Sequence, residues 1–305
     1  MADLSTATLE DLRGPVVGET PVLKSVPLPG GARVAVTVQL ALEAWKGTRV
    51  SGNALGSPLG EEARALGVPD YATISSQEYG GQTGIWRILD VLDELGIKAA
   101  CSTSTLVAEV WPDAVKAAAA AGHEIVGHGY SQDRAMSDMD ASEDFEVVAG
   151  AVKTFEAVAG QRPYGWSSHG SRRGKYTVLD LMKCGYVYTN DFRNADVPYV
   201  VATLGEQKLL SLPRTDEIND MFLIRRTGNP PGAYVEYFKR AFDRLYKEGA
   251  KAPKVLACVA HATLTGRPWG ASALTECIEY AKSFDDVWIT TRLGVAENYL
   301  RSLAS

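Results

Sequence analysis

Between residues 33 and 303 the chain alternates short apolar runs with longer stretches whose apolar residues recur every three or four positions. The runs fall at 33–40, 97–101, 123–127, 164–167, 186–189, 209–212, 255–260 and 287–290. Each is bounded by turn-forming residues and is too short for a helix, which predicts buried strands. The periodic stretches fall at 84–95, 111–121, 140–159, 175–183, 234–247, 271–283 and 293–303. In the first, Ile85, Leu89, Leu92 and Leu95 share one face; in the third, Phe145, Val148, Val152, Phe155 and Val158 do. Gly96, Gly122, Gly160 and Gly185 stand where four of these helices should stop. Strand–helix repetition of this kind predicts an α/β fold, a parallel sheet with helices outside, and about seven units fit one closed or nearly closed barrel. Residues 1–31, with Pro15, Pro21, Pro27, Pro29 and Gly30, read as an N-terminal arm, and 32–305 as one domain without a linker. Residues 51–82 lack periodicity and are rich in Gly, Ser and Glu, so they read as a functional insertion near the site.

Three of the four histidines sit where a predicted strand runs out at its C-terminal end: His128, His169 and His261. In a parallel α/β barrel that rim gathers the reacting groups, whereas the other rim serves stability. His123 begins its strand and should face the other end. Composition adds exclusions. A net charge of −6, from 31 basic and 37 acidic residues, argues against a nucleic-acid or anionic-membrane surface. No apolar run approaches the roughly 18 residues that span a bilayer. The first residues carry neither a basic nor an apolar leader segment, so a cytoplasmic location is expected. Cys101, Cys184, Cys258 and Cys277 lie far apart with no CxxC pair, which suggests buried reduced thiols rather than a zinc knuckle.

Local motifs sharpen the site. Gly127 and Gly129 flank His128, so the backbone can bend and project the ring into the rim. Four residues on, where a second metal ligand would fall, stands Gln132, a poor ligand for zinc. Glu43 follows the first strand beside Trp45; partial desolvation would suit it to proton transfer, while an ordinary surface glutamate is the plain alternative. Glu78-Tyr79-Gly80-Gly81-Gln82 precedes a helix, either as a loop whose N–H groups approach a substrate or as a plain helix entry. Ser168 adjoins His169, and Asp191 follows another strand as a substrate contact or a turn cap. His261 leads into Thr265-Gly266-Arg267-Pro268, a sharp turn on the same rim.

Taken together, Gly127-His128-Gly129-Tyr130, Arg162-Pro163-Tyr164-Gly165-Trp166, His261 with Thr265-Gly266-Arg267-Pro268, and Val287-Trp288-Ile289-Thr290-Thr291 resemble the NodB-homology polysaccharide deacetylase superfamily. Glu78-Tyr79-Gly80, Gly84-Ile85-Trp86-Arg87 and Glu217-Ile218-Asn219-Asp220 resemble its branch of metal-independent allantoinases and cyclic-imide hydrolases. The resemblance spans residues 32–303 and implies a distorted (β/α) barrel of about seven parallel strands, and a homo-oligomer. Deacetylases of the superfamily hold a divalent metal with an Asp from the first motif and two His from an H-x3-H motif. Here the first motif reads Thr37-Val38-Gln39-Leu40-Ala41-Leu42-Glu43, and Gln132 takes the second histidine's place. No metal and no cofactor is therefore expected. The implied activity is hydrolysis of a C–N bond in a small cyclic amide, ureide or imide. Glu43 and His128 would share acid and base duties on water, and His169 and His261 would polarise the carbonyl or protonate the leaving group. Gln39, Gln132 and Ser168 would donate to a developing oxyanion; Arg267 or Arg292 would hold a substrate carboxylate, with Glu78, Tyr79 and Asp191 nearby. Proton shuffling on a small keto or enol acid of aromatic catabolism, by an isomerase, lyase or C–C bond hydrolase, is the alternative. A non-catalytic binding protein and a metal-dependent carbohydrate deacetylase are further ones.

Overall fold

The structure, a computed structural model, describes residues 4–46 and 66–304. Most of the 51–82 insertion lies outside the described residues; its end, from residue 66, does not. Nine strands form one sheet: β1 (Val34–Leu42), β2 (Ala100–Thr103), β3 (Glu124–Gly127), β4 (Gly165–Trp166), β5 (Tyr188–Thr189), β6 (Tyr199–Leu204), β7 (Gln207–Ser211), β8 (Lys254–His261) and β9 (Val287–Ile289). The order is β6-β7-β5-β4-β3-β2-β1-β8, with β9 also on β1. All pairings are parallel except β6 with β7, and the sheet is curved but not closed.

One feature departs from the expected pattern. Residues 199–211 form an antiparallel hairpin, so the chain does contain consecutive strands, and the strands number nine rather than about seven. Tyr-Val-Val-Ala-Thr-Leu followed by Gly205, whose φ of 57° suits a tight turn, is the local cause. β1 follows its apolar run and is buried at every position. It takes β8 along Val34–Ala41 on one edge; on the other it takes β9 at Val34–Val36 and β2 at Gln39–Leu42. A strand enclosed on both faces reads as a continuous apolar run, and the only polar side chains in it, Thr37 and Gln39, point into the sheet's interior.

Helices cover the outer face: α1 (Tyr71–Tyr79), α2 (Ile85–Glu94), α3 (Thr105–Val110), α4 (Pro112–Ala120), α5 (Ala141–Ala159), α6 (Thr177–Lys183), α7 (Gly232–Gly249), α8 (Pro268–Lys282) and α9 (Arg292–Ala304). Asp140 caps α5, accepting from the N–H groups of Ser142 and Glu143, and Gly160 ends it in the left-handed region. Val148, Val152 and Phe155 of the expected apolar stripe are buried, with Ala151 beside them, while Phe145 is 42% exposed. The N-terminal residues run over the surface in 3-10 turns and are pinned at Arg13, which bridges to Thr203 of β6. Among the described residues, no helix is long and apolar enough to cross a membrane.

Candidate active site

A cavity of about 870 Å³ opens at the C-terminal ends of the central strands. Gln39 and Ala41 reach it from β1, Glu43 stands one residue past that strand, His128 one past β3, and His261 ends β8. His169 begins a 3-10 turn just beyond β4. His123 lies before β3, where its Nδ1 accepts from the Ala99 N–H; burial pushes its pKa down to about 4, so it is a neutral structural group.

Glu43 is the centre of the constellation. Its Oε1 lies 3.2 Å from His128 Nε2 and 3.8 Å from His261 Nε2, with all three side chains buried. Burial alone would raise the carboxyl's pKa, but His261, His128 and His169 together outweigh it and hold the group at about 2. His128 Nδ1 faces the Ser167 carbonyl and must donate to it, which leaves Nε2 as the nitrogen that exchanges a proton with Glu43. Asp220 takes His261 Nδ1 at 2.5 Å and also accepts from the His261 N–H and the Thr265 hydroxyl. Burial disfavours the His261 imidazolium, yet Asp220 and Glu43 outweigh it and raise its pKa. His169 goes the other way. Burial lowers it to about 4, and because Arg172 Nη2 can only donate, His169 Nδ1 accepts and its Nε2 carries the proton. One rim thus holds an ionised carboxylate, a proton-rich imidazole and a neutral imidazole.

Neutral groups surround these. Gln39 Nε2 donates to the hydroxyls of Ser102 and Ser167. Gln132 Nε2 donates to Ser104, while its buried Oε1 and the buried Trp45 Nε1 have no partner among the described residues. Both side chains line the cavity.

Of the residues expected at the site, Gln39, Glu43, His128, Gln132, His169, His261 and Arg267 line the cavity together. Tyr79 sits behind Arg267, whose guanidinium lies 3.6 Å from the ring centroid. The others need correction. Glu78 is half-buried and does not line the cavity; α1 presents Ser76 and Gln77 to it instead. Ser168 points away from it, donating to Asp191 Oδ2 and accepting from Trp166 Nε1, while Ser167 takes the lining position. Asp191 is the buried clamp on Ser168 and makes no contact with the cavity. Arg292 is fully buried beside Glu124 and donates twice to the Pro213 carbonyl, so it cannot hold a ligand there. The Glu78–Gln82 segment, read either as N–H groups turned to a substrate or as a plain helix entry, leads into tight packing: a Cβ on Gly81 would stand 2.2 Å from the Trp111 ring, and one on Gly84 1.9 Å from the Ala262 carbonyl oxygen. Sequence reasoning missed Asp220, which stands behind His261 rather than in the cavity lining, and the lining residues Arg172, Arg193, Arg214, Arg225 and Arg226. Asp220 closes the Glu217-Ile218-Asn219-Asp220 motif, but nothing local gives it a role, because the partner that makes it matter is 41 residues further on.

A deacetylase-type divalent cation needs three protein donors besides water. Among the described residues no group of three or more His, Cys, Asp or Glu is arranged to hold a metal ion. His128 spends Nδ1 on a carbonyl and turns Nε2 to Glu43, and the place of the next histidine is taken by the Gln132 amide. The donor set does not fit such a cation.

Comparison with known proteins agrees with the fold. The family model described as polysaccharide deacetylase matches residues 74–189. A solved structure described as a "probable Polysaccharide deacetylase" from Pseudomonas aeruginosa PAO1 is 31% identical, with 94% of this chain and 97% of that one covered and a TM-score of 0.81. The structure of PuuE allantoinase is equally similar, at 31% identity over the same shares with a TM-score of 0.80. A peptidoglycan deacetylase of Helicobacter pylori is 23% identical over 279 residues, which are 81% of this chain and 92% of that protein. The chain belongs to the polysaccharide deacetylase family and is a hydrolase.

Proposed function

We propose that the protein hydrolyses a C–N bond of a small cyclic ureide, amide or imide, and that its own side chains move the protons without a metal ion. The observation that carries this reading is Glu43 set between His128 and His261, with Gln132 where a further ligand would stand. The similarity to PuuE allantoinase supports the substrate class.

Water attacks the ring carbonyl carbon, and its proton enters the Glu43–His128 pair across their 3.2 Å contact. A carboxylate held at about 2 is a weak base by itself, so Glu43 orients the water and keeps the adjoining imidazole in register to take the proton. His169, neutral with its proton on Nε2, donates to the carbonyl oxygen as charge develops there; Ser167, whose hydroxyl oxygen accepts from Gln39, adds an uncharged donor. His261, kept protonated by Asp220, gives its proton to the departing nitrogen. The C–N bond breaks, and a carboxylic acid and a free amide or amine nitrogen result.

The test is ring opening of hydantoin, dihydrouracil, succinimide and allantoin, followed by loss of ultraviolet absorbance or by release of titratable acid. Turnover of at least one, retained after exhaustive chelation and reduced roughly 10²- to 10⁴-fold in H128A and E43Q, is expected. Deacetylation of an acetylated sugar that stops on chelation and returns with zinc, with no ring opened, overturns the reading.

A further inference from the structure

The chain as a whole is acidic, with a net charge of −6, but its cavity is not. Among the described residues, six arginines line it (Arg172, Arg193, Arg214, Arg225, Arg226 and Arg267) against two carboxylates, Glu43 and Asp216. Of the six, Arg225 and Arg226 already engage other groups and Arg193 and Arg214 share Asp216, which leaves Arg172 and Arg267. A low-dielectric cleft lined by one sign of charge concentrates ligands of the other.

These guanidinium groups are held in place. Arg193 and Arg214 share Asp216, at 3.0 and 2.7 Å, so that carboxylate is already spoken for. Arg214 also donates to the Ser171 hydroxyl and Arg193 to the Gly170 carbonyl, which ties the loops after β4, β5 and β7 into one braced wall. Arg172 stands on that wall beside His169. Across the cavity, Arg267 lies flat on Tyr79, and the Tyr79 hydroxyl accepts from Arg87. Neither Arg172 nor Arg267 has a carboxylate partner among the described residues. A guanidinium stacked on an aromatic face keeps its donor fork pointed and loses little freedom on binding, which favours paired hydrogen bonds to a planar carboxylate.

We propose that the substrate is itself an anion, a cyclic ureide, amide or imide that carries a carboxylate before its ring is opened, seated on Arg267 and Arg172. This rests on the ring-hydrolysis reading and narrows it. The ring carbonyl then lies over Glu43 and His128 while the pendant carboxylate meets the arginines. Water's oxygen bonds to the carbonyl carbon, the C–N bond breaks, the nitrogen takes a proton from His261, and the new carboxyl group releases one proton to solvent. The product is a dicarboxylate, whose original carboxylate stays on Arg267 and Arg172.

Two measurements separate this inference from the reading beneath it. The first compares kcat/KM for hydantoin-5-acetate with that for its neutral methyl ester. The acid should be preferred by roughly ten-fold or more at low salt, and R267Q should bring the two toward parity by lowering kcat/KM for the acid. An ester hydrolysed as well as the acid overturns the proposal. The second is calorimetric binding of succinate against neutral succinamide, which needs no turnover. Succinate binding about ten-fold tighter than succinamide, weakened by salt and by R172Q and R267Q, supports the anion seat even if neither hydantoin is opened. In that outcome only the ring-hydrolysis reading falls. Equal binding of the two overturns the anion seat whatever the kinetics show.

Discussion

His261 depends on Asp220 for its proton. Burial works against the imidazolium, and Asp220 is the larger of the two charges that reverse that effect, Glu43 being the other. A general acid must enter the reaction protonated, so activity should fall as pH rises through the His261 pKa. Asn at position 220 can still accept the Nδ1–H bond but has no charge, so D220N should draw the alkaline limb of the kcat/KM profile toward lower pH. At pH 8 the loss should be on the order of ten-fold or more, shrinking toward acid. A profile lowered equally at every pH would make Asp220 a packing residue and remove His261 as the acid. Ser167 and Ser168 make the converse point about single residues. They are adjacent and both buried, yet one lines the cavity and the other is locked to Asp191 and Trp166. Because β4 is only two residues long, strand alternation cannot fix which way the side chains beyond its end point.

At the scale of elements, the stretch joining α1 to α2 carries the His261 loop on its back. Gly80 faces Thr263, Gly81 faces the Trp111 ring, and Gly84 faces Ala262 and Gly266. A Cβ on Gly84 would meet the Ala262 carbonyl oxygen at 1.9 Å, and that atom is backbone, so the loop must move. G84A should therefore cost about 1–3 kcal/mol in urea unfolding and lower activity more than its stability loss explains, because His261 precedes Ala262. Full activity in a destabilised G84A would show that the loop tolerates displacement. The same elements show what a sequence reveals. The strand–helix alternation and the placing of His128, His169 and His261 at strand ends were legible, since both come from local periodicity and turn residues. The hairpin at 199–211 was legible in principle, from β-branched residues around Gly205, but an expectation of uniform strand–helix units passed over it. The pairing of Asp220 with His261 and the arginine wall were not. Their meaning comes from contacts such as Asp220 with His261, Arg193 and Arg214 with Asp216, and Arg214 with Ser171, which the fold makes across long stretches of chain. Arg292 misled for the same reason: a charged residue after a strand looks like a rim group until its burial beside Glu124 is known.

Across the whole molecule, buried carboxylates are handled in two opposite ways, and pH separates them. At the site the imidazoles hold Glu43 at about 2, so the stability it contributes is present above its unfolded value of 4.5 and is lost only as pH falls toward 2. Elsewhere burial dominates. It pushes Glu124 up to about 7 despite hydrogen bonds from the Tyr188 hydroxyl and the Leu293 N–H and the nearby charge of Arg292. A carboxyl whose pKa is raised on folding binds its proton more tightly in the native state. Its ionisation therefore destabilises the fold progressively from about pH 4.5 to about pH 7 and by a constant amount above. Asp144 and Asp180, raised to about 6 and about 7, act with the same sign. His123 and His169, lowered to about 4, oppose it between about pH 4 and 6.5. The total curve mixes these, but a single substitution isolates one group. E124Q keeps an acceptor for Tyr188 and never ionises, so its stability relative to the parent should rise from pH 5 to pH 8, by at most roughly 3 kcal/mol. Whatever it loses by donating an amide where Leu293 also donates is independent of pH and sets only the baseline. Urea midpoints across that range measure the difference directly. Parallel curves would mean that Arg292 compensates Glu124 fully, and the group would then be an ordinary buried ion pair rather than a carboxyl held against its ionisation.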